Sequence, residues 1–258
     1  MQQRRETLVL GIFAPVATGA AMLELIREAI RFHRGGADIV DLDMLVGGPF
    51  AGVDDDTVAL LIRALREAGV PVSVTTTDAR IARIGADCGA RWIVDPSGAT
   101  ADPRMLDVAA RFARVGWVLG PWSAGRAMRY RPASSADDYA DGLLRNLACL
   151  QDAGVRSDRI VLHASAGLAA DDPDPWRMLD HLERLSALGY PVLVDARDEL
   201  LASMTQDASE ARLADAAVGL AALAVSVGAW GVRTRAVDRV AGNVHHLLAS
   251  LRTPEPIG

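Results

Sequence analysis

The chain has 258 residues, a formal net charge of −6 and a hydrophobic share of 50%. That length matches one large α/β domain of roughly 250 residues. The acidic balance, with a pI near 5.4, argues against nucleic acid as the main partner, because phosphate binding requires a basic stripe. All 27 basic residues are arginine, so Schiff-base or lysine-base chemistry is excluded. The two cysteines, Cys88 and Cys149, fit no metal-ligand spacing and read as buried free thiols in a reducing compartment. No run approaches the roughly 18 apolar residues of a membrane span, and the short apolar run after the N-terminus is too brief for a signal peptide. The expectation is a soluble, cytoplasmic protein.

Short β-branched runs alternate with longer helical patterns along the chain, which predicts a parallel sheet with crossover helices. Strands are predicted at Thr7–Phe13, Asp38–Leu42, Pro71–Thr76, Arg91–Val94, Gly116–Leu119, Arg159–His163, Pro191–Val194 and Trp230–Arg233. The intervening helices are predicted at Ala20–His33, Asp55–Ala68, Asp78–Cys88, Pro103–Arg114, Ser135–Ala153, Asp174–Leu188, Ser209–Val227 and Ala236–Leu251. Glycines mark the helix ends: Gly35-Gly36, Gly69, Gly89, Gly154, Gly189 and Gly228. Asp55 and Asp78 read as N-caps or first-turn acids. Eight such units without a linker predict a single (β/α)₈ TIM barrel domain over residues 1–258. An open doubly wound sheet is disfavoured because no G-x-G-x-x-G or Walker sequence follows an early strand.

The predicted seventh helix is apolar on nearly every face, whereas an outer barrel helix keeps a polar stripe. A partner helix is the simplest cover for its second face; burial under a long loop is the alternative.

Several segments in order carry a family likeness. They are Gly11-Ile12, Gly36-Ala-Asp-Ile-Val-Asp41, Pro71-Val-Ser-Val-Thr-Thr-Thr-Asp-Ala, Cys88-Gly-Ala-Arg-Trp-Ile-Val-Asp95-Pro-Ser-Gly98, Asp102-Pro-Arg-Met, Arg159-Ile-Val-Leu, Gly189-Tyr-Pro-Val-Leu-Val, Arg212-Leu-Ala and Gly228-Ala-Trp-Gly-Val-Arg233. Together they resemble the dihydropteroate synthase family across the whole chain. Corrinoid-dependent methyltransferases with a pterin-binding barrel share the second segment and are the nearest rival family.

The resemblance implies a transferase that joins a pterin methyl pyrophosphate to p-aminobenzoate. It also implies a metal-holding Asn after strand one, basic residues at strand eight for the pyrophosphate, and an Asp, Asn, Asp and Lys set for the pterin. This sequence departs from that plan position by position. Ala14 stands at the metal Asn, so no cofactor is expected. Gly47 and Gly48 stand at the loop-two Thr-Arg pair. Thr75 and Val94 replace the Asp and Asn of strands three and four, His163 replaces the Asp of strand six, and Glu199 the lysine. Arg233 keeps the strand-eight arginine, while Arg235 replaces the histidine two residues later.

Chemistry in such barrels sits at the C-terminal strand ends. Those ends carry Asp43, Thr75, Asp95, Trp122, His163, Asp195, Arg197, Arg233 and Arg235. Arg233 and Arg235 alternate on a strand, so they either grip one anion together or pair with Asp195 or a neighbouring carboxylate. His163 is the candidate catalytic base, or a hydrogen-bonded wall residue. Trp122 either stacks on a planar ligand or packs on the rim. Asp43, Asp95 and His163 come from three different strands with no close-spaced motif, which disfavours a metal site. Asp171-Asp-Pro-Asp-Pro175 reads as a solvated turn.

Three functions follow. The first is a non-catalytic or partner subunit, in a homodimer or a heterodimer with a family homologue through the C-terminal helices. The second is a divergent transferase acting on another small anionic molecule. The third, retained dihydropteroate synthesis, is disfavoured because each lost pterin partner costs about 1–3 kcal/mol.

Overall fold

A computed structural model describes residues 7–13, 22–45, 50, 53–120, 136–164, 182, 184–198, 201–202, 205 and 209–252. The strands are β1 (Leu8–Phe13), β2 (Ile39–Asp43), β3 (Val72–Thr75), β4 (Trp92–Asp95), β5 (Gly116–Leu119), β6 (Ile160–His163), β7 (Val192–Ala196) and β8 (Gly231–Thr234). Each pairs in parallel with the next, and β8 returns to β1, closing the barrel. The helices are α1 (Met22–Arg34), α2 (Asp55–Glu67), α3 (Ala79–Cys88), α4 (Met105–Arg111), α5 (Ala136–Asp152), α6 (Glu210–Ser226) and α7 (Val237–Arg252). Of the stretch predicted as a helix over 174–188, residues 182 and 184–187 are helical, and 174–181 and 183 lie outside the described residues.

Local chemistry explains the boundaries. Asp54 caps α2, its side chain accepting from the Thr57 N–H, and Asp78 caps α3 by accepting from the Arg80 N–H. Asp55 falls in the first turn of α2, one residue inside the cap. The glycines expected to end helices do so with positive φ at Gly36, Gly69, Gly89, Gly154, Gly189 and Gly228. α4 is shorter than predicted. Beyond it, the Arg159 guanidinium donates to the carbonyls of Ala109, Phe112 and Val115, satisfying the helix end and the turn into β5.

Strand alternation sorts the core into two bodies. Val40, Leu42, Val72, Val74, Ile93, Trp117, Leu119, Ile160, Leu162, Val192, Val194 and Val232 face the helices. Leu10, Ile39, Val94, Val118, Val161, Leu193 and Trp230 fill the barrel interior. The N-terminal end of that interior is plugged by Trp92 and Trp230, whose rings sit 4.6 Å apart at 59°. Gly116 makes room for this plug, since a Cβ there would lie 2.1 Å from the Trp92 ring. The seventh predicted helix, α6, packs against α7. That neighbour covers one flank, yet Leu223 and Val227 stay exposed. Of the two cysteines expected to be buried, Cys88 is, whereas Cys149 on α5 is exposed. No helix among the described residues is long and apolar enough to cross a membrane.

Candidate functional site at the barrel mouth

The alternation that turns Ile39 inward also turns Asp41 and Asp43 inward from β2. By the same parity Ser73 and Thr75 enter from β3, His163 from β6, Asp195 from β7 and Arg233 from β8. The upper half of the barrel is therefore a buried polar layer above an apolar one. Asp41, Ser73, Thr75, His163, Asp195 and Arg233 are all essentially inaccessible to solvent.

Arg233 is the hub. Its Nε and Nη2 reach one oxygen of Asp41 at 2.8 and 2.7 Å. Nη2 also lies 3.2 Å from Asp43 Oδ2 and donates to Thr75 Oγ1 at 3.3 Å, while Nη1 lies 3.3 Å from Asp195 Oδ2. Asp41 is further held by Ser73 Oγ at 2.6 Å and by the Thr75 hydroxyl at 2.9 Å. Burial works against the Arg233 charge, but Asp41, Asp195 and Asp43 outweigh it and hold the group above its ordinary range. An arginine so surrounded stays charged and is already ligated.

Asp195 forms the second node. Its Oδ2 takes three neighbours: His163 Nε2 at 3.2 Å, Arg197 Nε at 2.8 Å and Arg233 Nη1 at 3.3 Å. Its Oδ1 is buried without a hydrogen-bond partner. Burial alone would raise the Asp195 carboxyl, yet the Arg197 and Arg233 charges hold it well below the usual range. His163 is pushed the other way. Burial lowers its pKa, the Asp195 contact only partly offsets that, and the two arginines add to the lowering. The imidazole is thus kept neutral at physiological pH.

The expected site residues divide into groups. Asp43, Thr75, His163, Asp195, Arg197 and Arg233 come together in one network. Arg233 and Arg235 separate in depth, because Arg233 is drawn inside by three carboxylates. The Arg235 side chain sits at the rim, 43% exposed and 3.8 Å from Asp198. The joint grip of one anion by both arginines is therefore replaced by an internal ion cluster and a rim cation. Asp95 also stays apart. Its carboxylate accepts from Ser97 N–H, Ser97 Oγ and Ala99 N–H, so it holds the loop after β4. Burial is the leading influence on it and raises its pKa, against those hydrogen bonds. Trp122, Ala14, Gly47, Gly48, Glu199 and the 171–175 segment lie outside the described residues.

Sequence reasoning gave too small a part to Asp41, the strongest partner of Arg233, and missed Ser73. The signal for both was alternation: Asp41 shares parity with Asp43, and Ser73 with Thr75. Ala14, where the resemblance places a metal-holding Asn, has no donor atom beyond its backbone. Among the described residues no group of three or more His, Cys, Asp or Glu side chains could hold a metal ion.

A closed parallel barrel with a polar C-terminal mouth is the architecture of a (β/α)₈ enzyme scaffold. The family model for pterin binding enzymes matches residues 16–235. Dihydropteroate synthase of Mycobacterium leprae is 34% identical over 229 residues, covering 83% of this chain and 80% of that protein. The protein named inactive dihydropteroate synthase 2 of the same organism is 28% identical over 237 residues, covering 86% and 77%. Among solved structures, dihydropteroate synthase of Xanthomonas albilineans with indole-2-carboxylic acid and 6-chloroguanine superposes with a TM-score of 0.80 at 22% identity, covering 97% of this chain and 94% of that one. The Burkholderia cenocepacia enzyme complexed with 7,8-dihydropteroate gives 0.76 at 26% identity, covering 95% and 91%. The chain belongs to the pterin-binding enzyme family and, within it, to the dihydropteroate synthase family.

Proposed function

We propose that this chain is a non-catalytic member of the family that acts by association with a second barrel, either its own copy or an intact homologue. The observation that carries this reading is the position of Arg233. The one family arginine retained at strand eight is enclosed by Asp41, Asp43 and Asp195, with 1% of its side chain exposed. To meet an incoming pyrophosphate it would have to leave those carboxylates. Breaking one partner from a buried ion pair costs about 3–5 kcal/mol.

The pterin side is equally altered. Thr75 spends its hydroxyl on Asp41, His163 is a neutral ring against Asp195, and Val94 belongs to the apolar layer. None of the three presents a carboxylate to a donor edge. Donor groups elsewhere at the mouth also serve the chain itself: the Ala79 N–H at the start of α3 donates to Asp102, and the loop after β4 wraps Asp95. No metal enters this reading, since Ala14 stands at the metal position.

Association is supported by α6. Its face away from the barrel carries Gly219, Leu223 and Ser226, with Val227 just beyond, and only Arg212 and Asp215 as charges. Leu223 and Val227 are among the exposed large apolar side chains. Light scattering on the purified chain, alone and mixed with an intact homologue, tests this half. A dimer in either sample is the expected result, and only monomers in both would overturn it. Calorimetric titration with 7,8-dihydropteroate tests the other half, where no saturable heat is expected.

A second reading is a divergent transferase on a different small anion. The observation in its favour is Arg235, whose nearest carboxylate among the described residues, Asp198, lies at 3.8 Å, beyond hydrogen-bond distance. Saturable, Arg235-dependent binding of an anionic metabolite would favour it.

A further inference from the structure

We infer that residues 95–102 form a strained strap across the barrel mouth, one that ties α3, β4, β5 and α5 together and opens as a single unit. The inference goes beyond the non-catalytic reading and does not depend on it. Its basis is a backbone conformation that an alanine does not favour. Ala99 has a φ of 68°, and no other non-glycine among the described residues takes a positive φ. Its neighbour Gly98 has a φ of 58°. An alanine in that left-handed region is disfavoured about 5–30-fold, so the surroundings must hold it there.

Three anchors do so. The buried Asp95 carboxylate accepts from Ser97 N–H and Ser97 Oγ on one oxygen, at 2.9 and 2.7 Å, and from Ala99 N–H on the other at 2.7 Å. The second anchor is Asn146 on α5. Its amide donates to the carbonyls of Ser97 at 3.4 Å and Gly120 at 3.1 Å, which joins the strap to the residue after β5. The third is Asp102, which accepts from the Ala79 N–H at the start of α3 at 3.1 Å. The Arg104 guanidinium grips the same carboxylate through two bonds of 2.9 Å.

Close packing makes the anchors interdependent. A Cβ on Gly98 would lie 2.1 Å from Asn146 Nδ2, and one on Gly120 would lie 2.2 Å from the Pro96 carbonyl oxygen. The Gly120 N–H also donates to the Asp95 carbonyl at 2.9 Å. The turn at 98–99 therefore has no room to relax while Asn146 and Gly120 stay in place. Once Asp95 or Asn146 lets go, the strain at Ala99 works to open the rest, and Asp102 lies only three residues further along. Segments bound in this way open as contiguous cooperative units. A ligand or partner that displaces one anchor is thereby felt at the other two, from the start of α3 to the end of β5.

The test is native-state hydrogen exchange on the intact chain, read by NMR at the amides of residues 79, 97, 99 and 120, with Ala99→Gly and Asn146→Ala alongside. In the unmodified protein the four amides are expected to share one opening equilibrium. Ala99→Gly is expected to raise their protection together by about threefold to tenfold, the strain relieved less the freedom glycine gains in the open state. Asn146→Ala is expected to lower all four together. The Val9 N–H, held by Asp38 at 2.7 Å near the N-terminal end of the barrel, is expected to keep its protection in Ala99→Gly. The proposal is overturned if residue 99 gains protection while residue 79 or 120 does not, or if Ala99→Gly lowers protection. It is equally overturned if Val9 shifts by the same factor, which would mark a change in global stability.

Discussion

Arg233 closes on Asp41 through two nitrogens at once, Nε at 2.8 Å and Nη2 at 2.7 Å from the same carboxylate oxygen, with neither residue open to solvent. The pair joins β2 to β8 across the barrel interior, from positions 192 residues apart. A guanidinium used this way is a structural cation. It ties two strands and orders Asp43, Thr75 and Asp195 around it.

Removing that cation leaves three carboxylates facing one another in a closed space. Arg233→Ala is expected to destabilise the fold by about 3–5 kcal/mol, read as a lowered urea midpoint. Methylguanidinium at low millimolar concentration is expected to restore part of the loss in Arg233→Ala and none in the unmodified protein. An Arg233→Ala midpoint equal to that of the parent would contradict the structural role.

Stability should depend on pH through His163. Its folded pKa lies below the ordinary value of 6.5, so between those two values the unfolded chain binds the extra proton. The stabilising contribution is complete above pH 6.5 and declines as pH falls toward the folded value. The slope is up to about 1.4 kcal/mol per pH unit. Denaturation at a series of pH values from 7.5 downward should show that decline. His163→Gln should flatten it.

Backbone contact at the mouth gives a third expectation. Gly120 follows β5, and a Cβ there would sit 2.2 Å from the Pro96 carbonyl oxygen and 2.6 Å from Pro96 Cα. The loop after β4 is itself pinned, because the Asn146 amide donates to the carbonyls of Ser97 and Gly120. Neither backbone can yield freely. Gly120→Ala is expected to cost about 1–3 kcal/mol, whereas Gly154→Ala, with no atom near its Cβ, should cost only the strain of its positive φ. Equal thermal midpoints for Gly120→Ala and the parent would contradict the packing described.

The barrel itself was legible in the sequence because short β-branched runs and longer helical patterns alternate eight times, with glycines at six of the helix ends. α2 begins at Asp55 as predicted, with Asp54 as its cap, whereas α4 ends three residues earlier than predicted, at Arg111, where Arg159 takes up the carbonyls of the turn that follows. The expectation that Thr75, Val94 and His163 stand where the family carries Asp, Asn and Asp comes from the order of the resembling segments alone. What the string of residues could not show was how the remaining charges settle among themselves. Arg233 and Arg235 look alike two residues apart, but three acids from β2 and β7 claim the first and leave the second at the rim. That choice depends on burial and on carboxylates up to 192 positions away. Asp95 has the same origin: it reads as a mouth acid, yet the three donors around it belong to its own loop.

The most direct measurement is a turnover assay of the purified chain with the pterin pyrophosphate and p-aminobenzoate, with and without magnesium, beside an active family enzyme at equal concentration. Because Arg233 is committed to Asp41, Asp43 and Asp195, no dihydropteroate above the protein-free control is expected under either condition. Saturable turnover that is lost in Arg233→Ala, with that variant still folded, would show instead that Arg233 leaves its carboxylates to bind substrate, and the self-ligated barrel mouth would be wrong.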